Sequence, residues 1–231
     1  GSGPIAFGSF AFDENEESHF IIPRVIVGKR SSSTWITRVG DPPPLVHESN
    51  PVMKSGELTW GEGSLTESDW KANVSEAVRR IQAGKLDKVV LARDISATSK
   101  SPIDARAVLQ RLAETYPSTW VFAVDGLIGA TPELLVRLAK GLVTSRVLAG
   151  TIRRSGNDER DLALAASLAR SSKDLEEHEY AVASVEEALE PFCSSINVPD
   201  APFVLHLSNV MHLATDVTGV VADSLASTNA L

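Results

Sequence analysis

Two short glycine turns constrain this chain more than any other feature. Asp125-Gly126 joins an apolar run at 119–124 to another at 127–130. Lys140-Gly141 joins 134–138 to 142–149 in the same way. A two-residue turn ending in glycine between such runs specifies a β-hairpin, because its backbone twist matches that of the flanking strands. Strands that cluster into hairpins, instead of alternating strictly with helices, argue for an α+β fold with antiparallel sheet.

The remaining elements follow from periodicity and punctuation. Residues 5–12 and 20–28 read as strands around an acidic turn at 13–18, and 34–38 reads as a short third strand. Residues 41–64 hold Pro, Gly, Ser and Asn with little periodicity, as in a linker or surface excursion. A helix then starts at Thr66 or Ser68, presents Trp70, Val74, Ala77, Val78 and Ile81 on one stripe, and closes at Gly84. Residues 85–93 are short, β-branched and bounded, and read as a strand covered on both faces. Lys88 lies in that strand, where burial is costly unless the amine is used, paired or able to reach water. Helices are expected from Pro102 to about residue 115, over 158–169, and after Ser171. Strands are expected at 204–207 and 210–221, with a connection entering a helix over 221–231.

Composition excludes several classes. The 231 residues suffice for one large domain or two small ones, and no apolar run has membrane-spanning length. The N-terminus lacks the basic and apolar regions of a signal peptide. Cys193 is the single cysteine, so no intrachain disulfide can form, which fits a reducing compartment, most simply the cytoplasm. A net charge of -8 argues against a nucleic-acid partner. No partner protein is indicated. Both ends lack the polar tails with which domains commonly finish, so the chain is expected to be incomplete.

Several residues could carry chemistry. Pro132 cannot donate a ladder hydrogen bond, so Glu133 sits at a kink or bulge, facing a site or simply water. Leu148-Ala-Gly-Thr151, at the far end of the second hairpin, is either an ordinary turn or a place where another molecule approaches the backbone. In Ser171-Ser-Lys-Asp-Leu-Glu-Glu-His-Glu179, Asp174 and Glu177 project from one helical face beside His178, which lies on the apolar stripe of Leu175, Val182, Val185 and Leu189. Spacing alone favours a solvated acidic face beside a packed histidine over a divalent-cation site. His206 and His212 lie in the final strands, where a histidine is more often a packing residue than a ligand.

Five stretches taken together resemble the chorismate-utilising enzymes in order and spacing. They are Leu86-Asp-Lys-Val-Val-Leu-Ala-Arg93, Gly129-Ala-Thr-Pro-Glu-Leu-Leu135, Leu148-Ala-Gly-Thr151, Ser172-Lys-Asp-Leu-Glu-Glu-His178 and Met211-His-Leu213. The resemblance is closest to isochorismate synthases, particularly of the menaquinone branch. It implies an α+β sandwich of antiparallel sheets with outer helices. Residues 1–231 would form one partial chorismate-binding domain, with the core motifs in 66–231 and N-terminal strands and linker in 1–64. The family's C-terminal third would be missing, leaving this piece inactive alone.

The resemblance also implies roles. Lys88 matches the general base that deprotonates the attacking water, and Glu133 the general acid that protonates the departing C4 hydroxyl of chorismate. Ala149, Gly150 and Thr151 match the loop that meets a substrate carboxylate, and His212 a histidine beside the substrate. Glu177 matches a ligand of magnesium (Mg2+), with Asp174 supporting the metal through water. Ammonia-using relatives carry Gln in place of Lys88 or Lys in place of Ala149, so both positions favour water as the nucleophile. Salicylate synthases share this pattern and add pyruvate elimination, and a non-catalytic binding module would retain the motifs as core. The chain departs from the family at Ser145-Arg-Val147, where Glu or Pro is frequent just before the loop.

Overall fold

The computed structural model describes residues 3–13, 15–42, 44, 50–53 and 56–222. The helix expected over 221–231 lies almost wholly outside the described residues. The chain packs as two compact units, one of Gly1–Pro42 with Leu109–Leu231 and the other of Pro43–Val108. Among the described residues no helix is long and apolar enough to cross a membrane.

The larger unit opens with two antiparallel pairs. β1 (Phe7–Ser9) pairs with β2 (His19–Ile21), and β3 (Val25–Arg30) with β4 (Ser33–Arg38). The single strand expected over 20–28 is therefore two. Pro23 lies between them, has no N–H to give a ladder, and lets each half take a different partner. The strand expected over 5–12 shortens to the three residues that find a partner.

The smaller unit contains β5 (Leu58–Glu62), α1 (Glu67–Gln82) and β6 (Ile95–Ser99). β5 corrects the expectation that 41–64 is all linker. Thr66 caps α1 by accepting the Asp69 N–H, and Gly84 follows the helix at φ 67°. The strand expected over 85–93 does not form. β5 pairs instead with β6, from Leu58↔Ser99 to Glu62↔Ile95. Asp94 then closes the ladder by accepting the Ser64 N–H at 2.8 Å and the Ser64 hydroxyl. Residues 86–93 are left without a strand partner among the described residues, and their faces are not covered as expected: Val90 is 80% exposed. β-branched composition favours extended backbone, but only a neighbouring chain makes it a strand.

α2 (Ala105–Thr115) carries the chain from one unit to the other, starting after Asp104 instead of at Pro102. β7 (Trp120–Val124) and β8 (Leu127–Thr131) form the first expected hairpin, and β9 (Leu134–Ala139) and β10 (Leu142–Arg153) the second. Both central residues of each turn have positive φ, 46° and 86° at Asp125-Gly126 and 53° and 77° at Lys140-Gly141, the primed type I turn. α3 (Asp158–Leu168) and α4 (Ser172–Leu189) follow, capped by the side chains of Asn157 and Ser171. β11 (Cys193–Asn197), β12 (Phe203–His206) and β13 (Val210–Val221) complete a five-stranded sheet of order β11-β13-β10-β9, with β12 also on β13.

The core lies between this sheet and the two helices. Met211 and Leu213 of β13 are fully buried against Ala165 and Leu168 of α3, with Ile152, Leu175 and Val204 at the margin. Burial of each large side chain contributes about 1.5–3 kcal/mol. The opposite face of the sheet carries a bidentate Arg146–Asp216 ion pair, at 2.6 and 2.7 Å, with Phe203 beneath the guanidinium.

Candidate functional site

The site grows from the place where β9 stops pairing with β10. Pro132 separates β8 from β9, and the Glu133 N–H turns back to the Thr131 hydroxyl at 3.1 Å. The β9–β10 ladder ends at Leu134↔Arg146. Two residues further along β10, the Leu148 N–H donates to Glu133 Oε1 at 3.3 Å instead of to a strand carbonyl. The kink thus folds an exposed glutamate back over the edge of β10.

The Leu148–Thr151 stretch is neither turn nor loop, as the sequence allowed, but a bulge inside β10. Ala149 pairs with Leu213, and the next rung is Thr151↔His212, leaving Gly150 as an extra residue. Gly150 has φ 77°, where a Cβ is strained. A Cβ there would also come within 3.1 Å of Asp174 Cβ and 3.3 Å of Leu213. The extra residue reverses the alternation of β10. Before it, Val143, Ser145 and Val147 are buried on the side of the helices. After it, Ile152 faces the core and Thr151 the other side, where its Oγ1 lies 2.9 Å from His212 Nδ1. Burial pushes the His212 imidazole pKa down, while the Gly150 carbonyl and the Glu133 charge pull it up. Glu133, Gly150, Thr151 and His212 therefore form one neighbourhood.

Asp174 and Glu177 lie one turn apart near the start of α4, both half-buried, and Asp174 abuts Gly150. Two carboxylates are hard oxygen donors suited to magnesium, so the residue types fit. Among the described residues no group of three His, Cys, Asp or Glu side chains stands ready to hold a metal ion. Lys88 belongs to the smaller unit and is half-buried in the stretch 86–93, which forms no strand. A cleft of about 230 Å³ in the larger unit is lined by Tyr116, Thr119, Pro132, Ser208, Asn209 and His212. It places a small-molecule volume against His212 and the residue preceding Glu133.

Two participants were hidden in the sequence. His178, readable only as a stripe residue, is 2% exposed and hydrogen-bonded at both ring nitrogens, to Ala149 O at 3.3 Å and Thr215 Oγ1 at 2.7 Å. Thr215 carries no motif signal at all. Arg154 and Ser155 likewise converge on buried Asp161, while Arg154 donates to Leu207 O at 3.1 Å and ties the Leu207–Asn209 rim of the cleft to α3.

Comparison with known proteins gives a consistent result. A family model described as chorismate binding enzyme matches residues 45–231. Isochorismate synthase MenF of Bacillus subtilis is 28% identical, over 96% of this chain and 54% of its own length. The salicylate biosynthesis isochorismate synthase of Pseudomonas aeruginosa is 37% identical over 74% of this chain and 37% of its own length. The crystal structure of DhbC from Bacillus anthracis matches with a TM-score of 0.74 at 30% identity, covering 95% of this chain and 56% of that one. The chain thus spans about half the length of the curated relatives it matches.

Proposed function

The chain belongs to the chorismate-binding enzyme family, and on that premise we propose that it serves an isochorismate synthase, which converts chorismate to isochorismate. The observation that carries this reading is the bulge at Gly150, which brings Thr151 and His212 together beside Glu133 and Asp174.

In the proposed reaction water adds at ring carbon 2, the double bonds shift, and hydroxide leaves carbon 4. Nothing is oxidised or reduced. Lys88 takes a proton from the water and Glu133 gives one to the leaving hydroxyl, so neither hydroxide forms free. A base lysine must give up its proton before attack and an acid glutamate must hold one. The backbone at Gly150 and the side chains of Thr151 and His212 bind and orient the substrate. Magnesium, when bound, offsets the charge of a substrate carboxylate, and Asp174 and Glu177 would hold it.

The test is product analysis by chromatography after full-length protein is incubated with chorismate, with and without magnesium. Magnesium-dependent isochorismate without salicylate is the expected result. Salicylate accumulating in its place would move the assignment to a salicylate synthase. No magnesium-dependent change in chorismate would favour a non-catalytic binding module.

A further inference from the structure

We propose that His178 is a positioning residue, acting through the Ala149 carbonyl on the bulge that turns Thr151 towards His212. The inference rests on the functional reading above for what the bulge does, and on geometry alone for how it is held.

His178 projects from α4 onto two strands at once. Its Nδ1 lies 3.3 Å from Ala149 O on β10, and its Nε2 lies 2.7 Å from Thr215 Oγ1 on β13. A carbonyl oxygen can only accept, so Nδ1 carries the ring proton. Nε2 then accepts the Thr215 hydroxyl proton, so the Ala149 carbonyl sets the tautomer and the Thr215 hydroxyl turns to match it. Both contacts are satisfied in a side chain that is 2% exposed.

The position of these anchors is what gives the contact its consequence. Thr215 pairs with Val147, and Ala149 with Leu213, the last regular rung before Gly150. The Ala149 carbonyl and the Gly150 N–H belong to one rigid peptide plane. Orienting that carbonyl orients the first peptide of the bulge, and hence the side to which Thr151 points. A leucine could fill the same volume and pack α4 on the sheet, but could not hold the plane.

The experiment uses full-length protein with chorismate as substrate and three variants. His178→Asn puts an amide nitrogen where Nδ1 was and keeps the donor to Ala149. His178→Gln reaches Thr215 instead, and His178→Leu keeps neither contact. Expected are a fall of about 100-fold in kcat/KM for the Gln and Leu variants, as small displacements in a site produce, and a much smaller loss for Asn. His212 ring resonances read the same geometry without turnover. They should shift in the Gln and Leu variants and stay near wild type in Asn. Gln matching or exceeding Asn would overturn the proposal, because a residue that only ties helix to sheet is served by either bond. Unmoved His212 signals in the Leu variant would overturn it whatever the activity. Should Leu fail to fold, the Asn–Gln comparison decides alone. Wild-type protein that makes no isochorismate refutes the functional reading instead, and the His212 resonances still decide the positioning role.

Discussion

Thr151 Oγ1 and His212 Nδ1 stand 2.9 Å apart across the β10–β13 ladder, and they face each other only because Gly150 interrupts the alternation of β10. Were Gly150 a regular rung of the ladder, Thr151 would pair with Met211 and point with Val147 into the helix-covered core. A single backbone irregularity thereby converts a strand built for packing into one that offers a hydroxyl and an imidazole beside Glu133.

Gly150→Ala should destabilise the protein by about 1–2 kcal/mol from the left-handed backbone alone. Crowding against Asp174 and Leu213 adds to this. A lower urea midpoint with an unchanged slope is the expected measurement. An unchanged midpoint would mean that the bulge relaxes at no cost.

Thr151→Val keeps the shape and removes the hydroxyl next to His212. Loss of one net hydrogen bond, about 1 kcal/mol, should raise the KM for chorismate about fivefold, with Thr151→Ser close to wild type. Equal KM values in the Val and Ser variants would show that the hydroxyl has no part in binding.

Glu133→Gln should cut turnover by about 10²–10⁴-fold while leaving the fold intact, because the amide oxygen still accepts the Leu148 N–H. Lys88→Ala should lose activity on a similar scale. Near-normal rates in either variant, measured on full-length protein, would refute the assigned role.

Asp161 gives a pH signature. The Ser155 N–H, the Arg154 guanidinium and the Ser155 hydroxyl hold its carboxyl below the usual 3.8, at about 2. A depressed carboxylate contributes stability that is present above the unfolded value and is lost as pH falls through the folded one. Wild type should therefore weaken on acidification from about pH 4 to about pH 2, and Asp161→Asn should show a shallower slope there. Urea midpoints taken across that range measure it, and parallel curves would count against the Arg154–Asp161 clamp.

Magnesium removal should stop turnover, and Glu177→Gln should raise the magnesium concentration needed for half-maximal rate. Asp174→Asn should do so less, by about 10–100-fold as outer partners of a metal commonly do. Activity that survives a chelator would dismiss both assignments.

Much of the fold is legible because it is encoded locally. Asp125-Gly126 and Lys140-Gly141 announce their hairpins, since a type I primed turn depends on the two residues that form it. Thr66, Asn157 and Ser171 mark helix starts by the same local logic, each accepting an N–H three residues on. Glu133 is flagged by the proline before it. Asp174 and Glu177 are legible as a shared helical face, and gain a role from the order of the five motifs.

What depends on a distant partner is not written in a segment. Residues 85–93 have strand composition, yet β5 pairs with 95–99, and composition cannot choose between two neighbouring candidates. Pro23 divides a run that looked continuous because each half found its own partner. The short polar β11 is a strand because β13 lies beside it.

The sequence by itself determined the antiparallel character, the capped starts of α1, α3 and α4, and the family. Only the tertiary structure decided on which side of the sheet Thr151 emerges, that His178 binds Ala149 and Thr215, and that Glu133 covers the Leu148 N–H. Turns and caps are closed within a few residues, so their free energies are set by local chemistry. The Glu133 contact, the Thr151–His212 contact and the His178 tautomer are settled by groups 15 to 61 positions apart in the chain, which meet only when sheet and helices have packed.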